Sequence, residues 1–329
     1  MDIRLHASRF LLCLGLLAVF AGPAWGQVDV GTYPNKPVRV VVPFAPGGST
    51  DLLARLLGER LSASLGQNFV VDNRGGGGGT AGCEMVARAV PDGYTLMVTN
   101  QGPMIQNVLL RKQPAYVVSD FAPVVYIGSS PLIIVANPKF PPNNVSELLA
   151  YAKANPGKVN WGSSGTNSNP HTALELLKAV TGVNIKHIPY KGTGPALIEV
   201  VGGQIDAMYT TTLSAEAYIK PGRVKVLATA SPKRQALLPD VPTLAEQGVQ
   251  GANNSVWIGL VAPAKTPRPL IDKLNREVNR VMQLPDIRQR LTQLGLESEG
   301  GTPEDFVPVI QEEVEGLTRL IKIGAVQVE

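Results

Sequence analysis

Short apolar runs rich in β-branched residues alternate with longer helical patterns along most of this chain. The run "VRVVVPF" (38–44) has the length and branching of a buried strand. The stretch behind it, "STDLLARLLGERLSASLG", carries Leu52, Leu56 and Leu61 at helical spacing. The same strand-then-helix unit recurs as "NFVVDN" with "TAGCEMVARAVPDG", and then as "YTLMVTN" with a less regular segment over 101–115. Near-continuous apolar strands joined by helices predict a mostly parallel sheet covered on both faces.

A second series starts at the strand-like "PLIIVAN" (131–137). "VSELLAYAKANPG" is an amphipathic helix with Ser146 as its N-cap, "KVNWGSS" a strand, "PHTALELLKAVTG" a helix and "IKHIPY" a strand. "PALIEVVGGQIDAMYTT" reads as helix, Gly-Gly turn and strand, and "RVKVLATA" closes the series. A Pro- and Gly-dense return passage holds one strand, "VWIGLVAP", and two helices end the chain. Leu270, Leu274, Val278 and Val281 line the first of these. The second opens on Thr302-Pro303-Glu304-Asp305, with Phe306, Ile310, Val314, Leu317 and Ile321 behind it. Two doubly wound sheets joined by Pro-rich passages predict two α/β lobes with a cleft between them. In such sheets ligands sit beyond the carboxyl ends of the strands, at helix N-termini.

The N-terminus changes the compartment. Arg4 and Arg9 precede an apolar stretch over 10–20, and Ala24-Trp25-Gly26 places small residues at a cleavage position, so residues 1–26 read as an export signal with Gln27 next. Phe10-Leu11-Leu12 before Cys13 lacks the small residue that a lipidated cysteine requires. The remaining chain is expected to be exported and soluble, since no other apolar run approaches about 18 residues. With 30 Lys and Arg against 26 Asp and Glu and no basic run, nothing marks a nucleic-acid surface. Cys83 alone remains beyond the signal, so no intrachain disulfide and no cysteine metal site can form. His171 and His187 have no partners at metal-ligand spacing. No metal and no cofactor is expected.

Four strand-to-helix loops could carry chemistry. "PFAPGGSTD" (43–51) offers backbone approach at Gly47 and Gly48 and hydroxyls at Ser49 and Thr50; it could equally be a helix capped by Thr50 or Asp51. "WGSSGTNSNPH" (161–171) crowds Ser163, Ser164, Thr166, Asn167, Ser168 and Asn169 onto one junction, far more polar groups than a turn needs. It is not a nucleophile elbow, because Thr166 stands where G-x-S-x-G needs its last glycine. "IPYKGTGPA" (188–196) adds Tyr190, Lys191 and Thr193, where Lys191 could face a carboxylate or simply solvent. "NRGGGGGTAG" (73–82) contains Gly77-x-Gly79-x-x-Gly82, a dinucleotide-like spacing. The next strand ends in Thr99-Asn100 rather than in the acid that would hold a ribose, so the run reads as a loop at the rim of an anion-binding cleft.

Taken in order, "YPNKPVRVVVPFAPGGSTDLLAR", "DNRGGGGGTAG", "WGSSGTNSNPHTALELLKAVTGV", "IPYKGTGPALIEVVGGQIDAM", "LPDVPTLAEQG" and "VWIGLVAPAKTP" resemble successive motifs of the Bug, or TctC-like, extracytoplasmic solute receptors. The resemblance implies a type II-like periplasmic binding protein, monomeric and without enzymatic activity. It would close two lobes on a small di-, tri- or aromatic carboxylate and deliver it to the membrane components of a tripartite tricarboxylate transporter. The lobes are expected to be 27–127 plus 233–329, and 128–232. First-lobe contacts carry over to Phe44, Ala45, Gly47, Gly48, Ser49, Thr50 and Asp51. Second-lobe contacts carry over to Ser163, Ser164, Gly165, Thr166 and His171, with Tyr190, Lys191 and Gly192 at the next loop. Asn100, Gln101, Tyr209, Thr210 and Thr211 are expected to tune selectivity. The chain departs from the family pattern at Gly75, usually Pro, and Thr172, usually Leu; neither change removes a carboxylate-binding group. Action on a membrane sensor rather than a transporter is the alternative role, and serine hydrolysis a remoter one.

Overall fold

Val38–Val42 (β1), Phe69–Asn73 (β2) and Thr95–Thr99 (β3) pair in parallel, with β1 in the middle. Helices Ser49–Leu65 (α1) and Thr80–Ala87 (α2) join them, as the alternating pattern requires. The computed structural model describes residues 30–322, 324, 326 and 328; the export-signal reading lies outside them. Pro34–Glu329 forms one compact unit, to which all that follows refers. After β3 the irregular segment becomes a π-helical turn, Gly102–Gln106, running into a short helix, Asn107–Leu109 (α3).

A 16-residue strand, Phe121–Ala136 (β4), then serves two sheets. Its first part pairs antiparallel with Ser255–Pro263 (β9), which completes the first sheet in the order β2-β1-β3-β9-β4. Its last part, from Leu132 to Ala136, pairs antiparallel with Ala207–Thr211 (β7), from which Asn160–Ser163 (β5) and Lys186–Pro189 (β6) continue in parallel. Lys225–Thr229 (β8) lies on the other side of β4. Val145–Ala154 (α4), Asn169–Thr181 (α5), Thr193–Gly202 (α6) and Thr212–Ile219 (α7) cover this second sheet. Arg268–Met282 (α8), Pro285–Gln293 (α9), the two-residue strand Glu297–Ser298 (β10) and Pro303–Lys322 (α10) return to the first.

Each lobe is therefore a mixed sheet. The parallel strands are those that strand-helix alternation reveals, and the antiparallel ones carry the chain between lobes. Only the end of β4 reads as a strand in sequence. Its "FAPVVYIGSS" half contains Pro, Gly and Ser, and it bulges between Pro123 and Val125 and between Tyr126 and Gly128. A side chain at Gly128 would lie 2.2 Å from the Glu297 carbonyl, so β10 can dock there only on glycine. Three further expectations change in detail. Asn144 rather than Ser146 caps α4, accepting from the Glu147 N–H at 2.8 Å. α7 appears where no helix is predicted, and Pro285 opens an extra C-terminal helix, α9.

The core follows side-chain alternation. Along β4, Ile134 packs with Leu148, Trp161 and Leu174 on one face of the second sheet, while Ile133 and Val135 pack with Leu197, Val200 and Met208 on the other. Phe306 and Ile310 of α10 close the first lobe over Val41, Met97, Trp257 and Val261.

Candidate functional site

At the end of β1 the chain turns through Gly47 (φ +93°) into α1, whose N-cap is Gly48. A glycine cap has no side chain to occupy the first-turn N–H groups, which an α-helix leaves without internal partners. Asp51 braces the turn from behind: it accepts from the Gly47 N–H at 3.0 Å, Arg55 Nε at 3.0 Å and Asn73 Nδ2 at 3.0 Å. Opposite, the N-cap of α5, Ser168, turns its hydroxyl to the Gly165 carbonyl at 2.6 Å, so this helix also starts without a side-chain cap. Gly192 caps α6 in the same way. Of the helices α1, α5, α6 and α7, only α7 has a side-chain cap, Thr211, which accepts from the Ser214 N–H at 3.2 Å.

These ends converge. A cavity is lined by Gly48, Ser49 and Thr50 of α1, Asn169 and Pro170 of α5, Thr193 of α6, and Thr211 and Ser214 of α7. Phe44, Asn100, Leu132, Ser164, Thr210 and Val256 complete the wall. Among the described residues no Asp, Glu, Lys, Arg or His lines it. Its favourable field for an anion comes from helix ends, each equivalent to roughly half a positive charge. In two of the lining residues a polar atom, Thr210 Oγ1 and Asn169 Oδ1, is buried without a hydrogen-bond partner among the described residues. Buried polar groups are normally paired, so these two atoms stand out.

Of the residues expected at the site, Phe44, Gly48, Ser49, Thr50, Asn100, Ser164, Thr210 and Thr211 meet at this cavity. Ala45, Gly165, Thr166, Tyr190 and Lys191 border a separate outer groove together with Gly77 and Gly78. The others build the frame. Gln101 clamps β9, donating to the Ser255 carbonyl at 2.7 Å and accepting from the Trp257 N–H at 3.1 Å. Tyr209 is fully buried against Trp161, which pushes its phenol up. Gly47 and Asp51 shape the first turn as described. Ser163 bonds the Gly165 N–H at 3.1 Å and His187 Nε2 at 2.6 Å. That serine and histidine touch, but Ser163 is fully buried and does not line the cavity. Burial, then the neighbouring His171 and Lys178, push His187 down to about 3. His171 stacks on His187 with ring centroids 3.9 Å apart and accepts from the Asn167 N–H at 3.0 Å. It thereby holds Asn167 at φ +58°, an uncommon left-handed conformation.

The outer groove marks where the lobes touch. The Ala45 N–H donates to the Lys191 carbonyl at 2.9 Å. Glycines permit the approach: a Cβ at Gly75 would sit 2.6 Å from the Lys191 carbonyl, at Gly192 2.9 Å from the Ala45 nitrogen, at Gly194 2.1 Å from the Pro46 carbonyl and at Gly78 2.0 Å from the Thr166 carbonyl. The five-glycine run is thus a surface for backbone contact between lobes, and a proline at position 75 would crowd it.

Asn169, Pro170, Thr193 and Ser214 join the cavity although the carry-over omits them. Asn169 and Thr193 stand out in sequence as surplus polar groups at helix starts. Leu132 and Val256 carry no such signal, since a strand residue facing a cavity and one facing the core look alike.

Comparison with known proteins agrees with this architecture. The model of the tripartite tricarboxylate transporter family receptor, TctC, matches residues 53–325. The solved periplasmic binding protein BugD is 38% identical with a TM-score of 0.86, covering 90% of this chain and 99% of that one. Rpa4515 of R. palustris, solved with adipate, is 32% identical with a TM-score of 0.86, over 90% of this chain and 99% of that one. MatC (Rpa3494) from Rhodopseudomonas palustris, solved with bound malate, is 36% identical with a TM-score of 0.84, over 88% and 100%. With its two-lobed, type II-like fold and nearly full-length similarity, this chain belongs to the TctC, or Bug, family of periplasmic solute-binding receptors.

Proposed function

We propose that this protein captures a small carboxylate between its lobes in the periplasm and presents it to the membrane components of a tripartite tricarboxylate transporter. The convergence of four helix N-termini on one uncharged cavity carries this reading. An anion held there gains hydrogen bonds of about 1.5–3 kcal/mol each to charged acceptor oxygens, less the cost of ordering. The presence of adipate in one similar structure and malate in another supports a carboxylate rather than a phosphate. Closure then needs no chemistry. The ligand binds one lobe first and stabilises the state in which Ala45 reaches Lys191.

A panel of short di- and monocarboxylates at millimolar concentration should raise the melting temperature through mass action. No shift with any of them would overturn the reading. In Gly48→Val, the new Cβ would stand 3.4 Å from the Cβ of Thr193, and the rest of the side chain would fill the cavity. The expected result is at least a ~100-fold loss of affinity for the best carboxylate of the panel, measured by calorimetry, with an unchanged melting temperature without ligand. Retained affinity would place the site elsewhere.

A further inference from the structure

The cavity offers one group that a carboxylate cannot use. Asn169, the first residue of α5, is 2% exposed and lines the wall. Its Nδ2 donates to Asn254 Oδ1 at 2.9 Å and to the Ser255 backbone carbonyl at 3.3 Å. A backbone carbonyl only accepts, so these bonds set which way the amide faces. The amide oxygen is left buried without a partner among the described residues. It is an acceptor among donors: a carboxylate oxygen brought to it would be repelled, whereas a hydroxyl would satisfy it. Thr210 Oγ1, 1% exposed and also unpartnered, can at the same time donate to a carboxylate.

Resting on the carboxylate reading above, we infer that the ligand is a short hydroxy acid, whose carboxylate takes the helix N-termini and whose hydroxyl donates to Asn169 Oδ1. The rest of the wall suits such a molecule. Phe44, Leu132, Pro170 and Val256 give apolar contact for a short carbon chain. A site that leaves a buried acceptor unpaired discriminates against the ligand lacking the hydroxyl, because the desolvated oxygen then stays without a partner.

The test is calorimetric titration of the full protein with matched pairs: malate against succinate, lactate against propionate, and 3-hydroxybutyrate against butyrate. The hydroxylated member of at least one pair should bind about 10- to 100-fold more tightly. In Asn169→Leu that advantage should disappear while the deoxy acid still binds. Asn254→Ala, which leaves the amide only its longer bond to the Ser255 carbonyl, should narrow the gap between the two acids and serves as the second probe if Asn169→Leu fails to fold. Equal binding within every pair, or a hydroxyl preference that survives both substitutions, overturns the inference and leaves the carboxylate reading standing. Binding of no acid in any pair overturns both.

Discussion

The two loops that face each other across the cavity are braced in different ways. In the first lobe, Asp51 ties Gly47, Arg55 and Asn73 into a network containing permanent charges. In the second, Ser163, His187 and His171 form a brace of a hydroxyl and two stacked imidazoles, ending on the Asn167 N–H. Both solutions serve one purpose, to keep a turn rigid while the helix behind it presents its N-terminus to the cavity. On the proposed carboxylate reading, several polar residues of these two loops serve the turn itself rather than the ligand.

Breaking the charged brace should have the largest effect. Asp51→Ala removes a buried carboxylate that serves three donors and should destabilise the fold by about 2–4 kcal/mol, read by denaturant unfolding. If stability is unchanged, Asp51 is no brace. Blocking contact between the lobes comes next. Gly194→Ala places a methyl against the Pro46 carbonyl but introduces no strained backbone, so ligand affinity should fall about 10-fold or more while ligand-free stability holds or rises slightly. An unchanged affinity would show that this approach is not part of closure.

Acid should separate the two braces. The unfolded chain takes up a proton at His187 below its ordinary value of 6.5, whereas the folded protein resists until about 3. Stability is thus complete above 6.5 and declines as pH falls toward 3. The melting temperature should drop from pH 7.5 to pH 4.5, and His187→Gln should shrink that drop; an equal drop in the variant would remove His187 from the account. The smallest effect is expected from Lys191→Ala. Its side chain is exposed on the outer groove and its contact to Ala45 is through the backbone carbonyl, so affinity should stay within about two-fold. A large loss would bring the lysine charge into the site.

Much of the fold is legible in sequence because alternation of apolar strands and amphipathic helices has a period. Val38–Val42 with Ser49–Leu65, and Asn160–Ser163 with Asn169–Thr181, follow that logic closely. The crossing strand Phe121–Ala136 does not, because bulges and two prolines, Pro123 and Pro131, interrupt its pattern. At the site, the sequence marks which loops are rich in glycine and hydroxyls. It does not say which way each side chain turns. Ser163 and Ser164 are neighbours, yet one holds the turn and the other lines the cavity.

The sequence by itself determined the two series of β-α units, the loops at their strand ends and the family to which the motifs belong, because local periodicity and ordered motifs survive in one dimension. Tertiary structure alone decided the rest: which helix ends converge, which polar atoms are left without partners, and which glycines bring the lobes' backbones together. Those are relations between residues far apart in the chain, such as Ala45 with Lys191 and Asn169 with Asn254, and no local pattern encodes a distance between them.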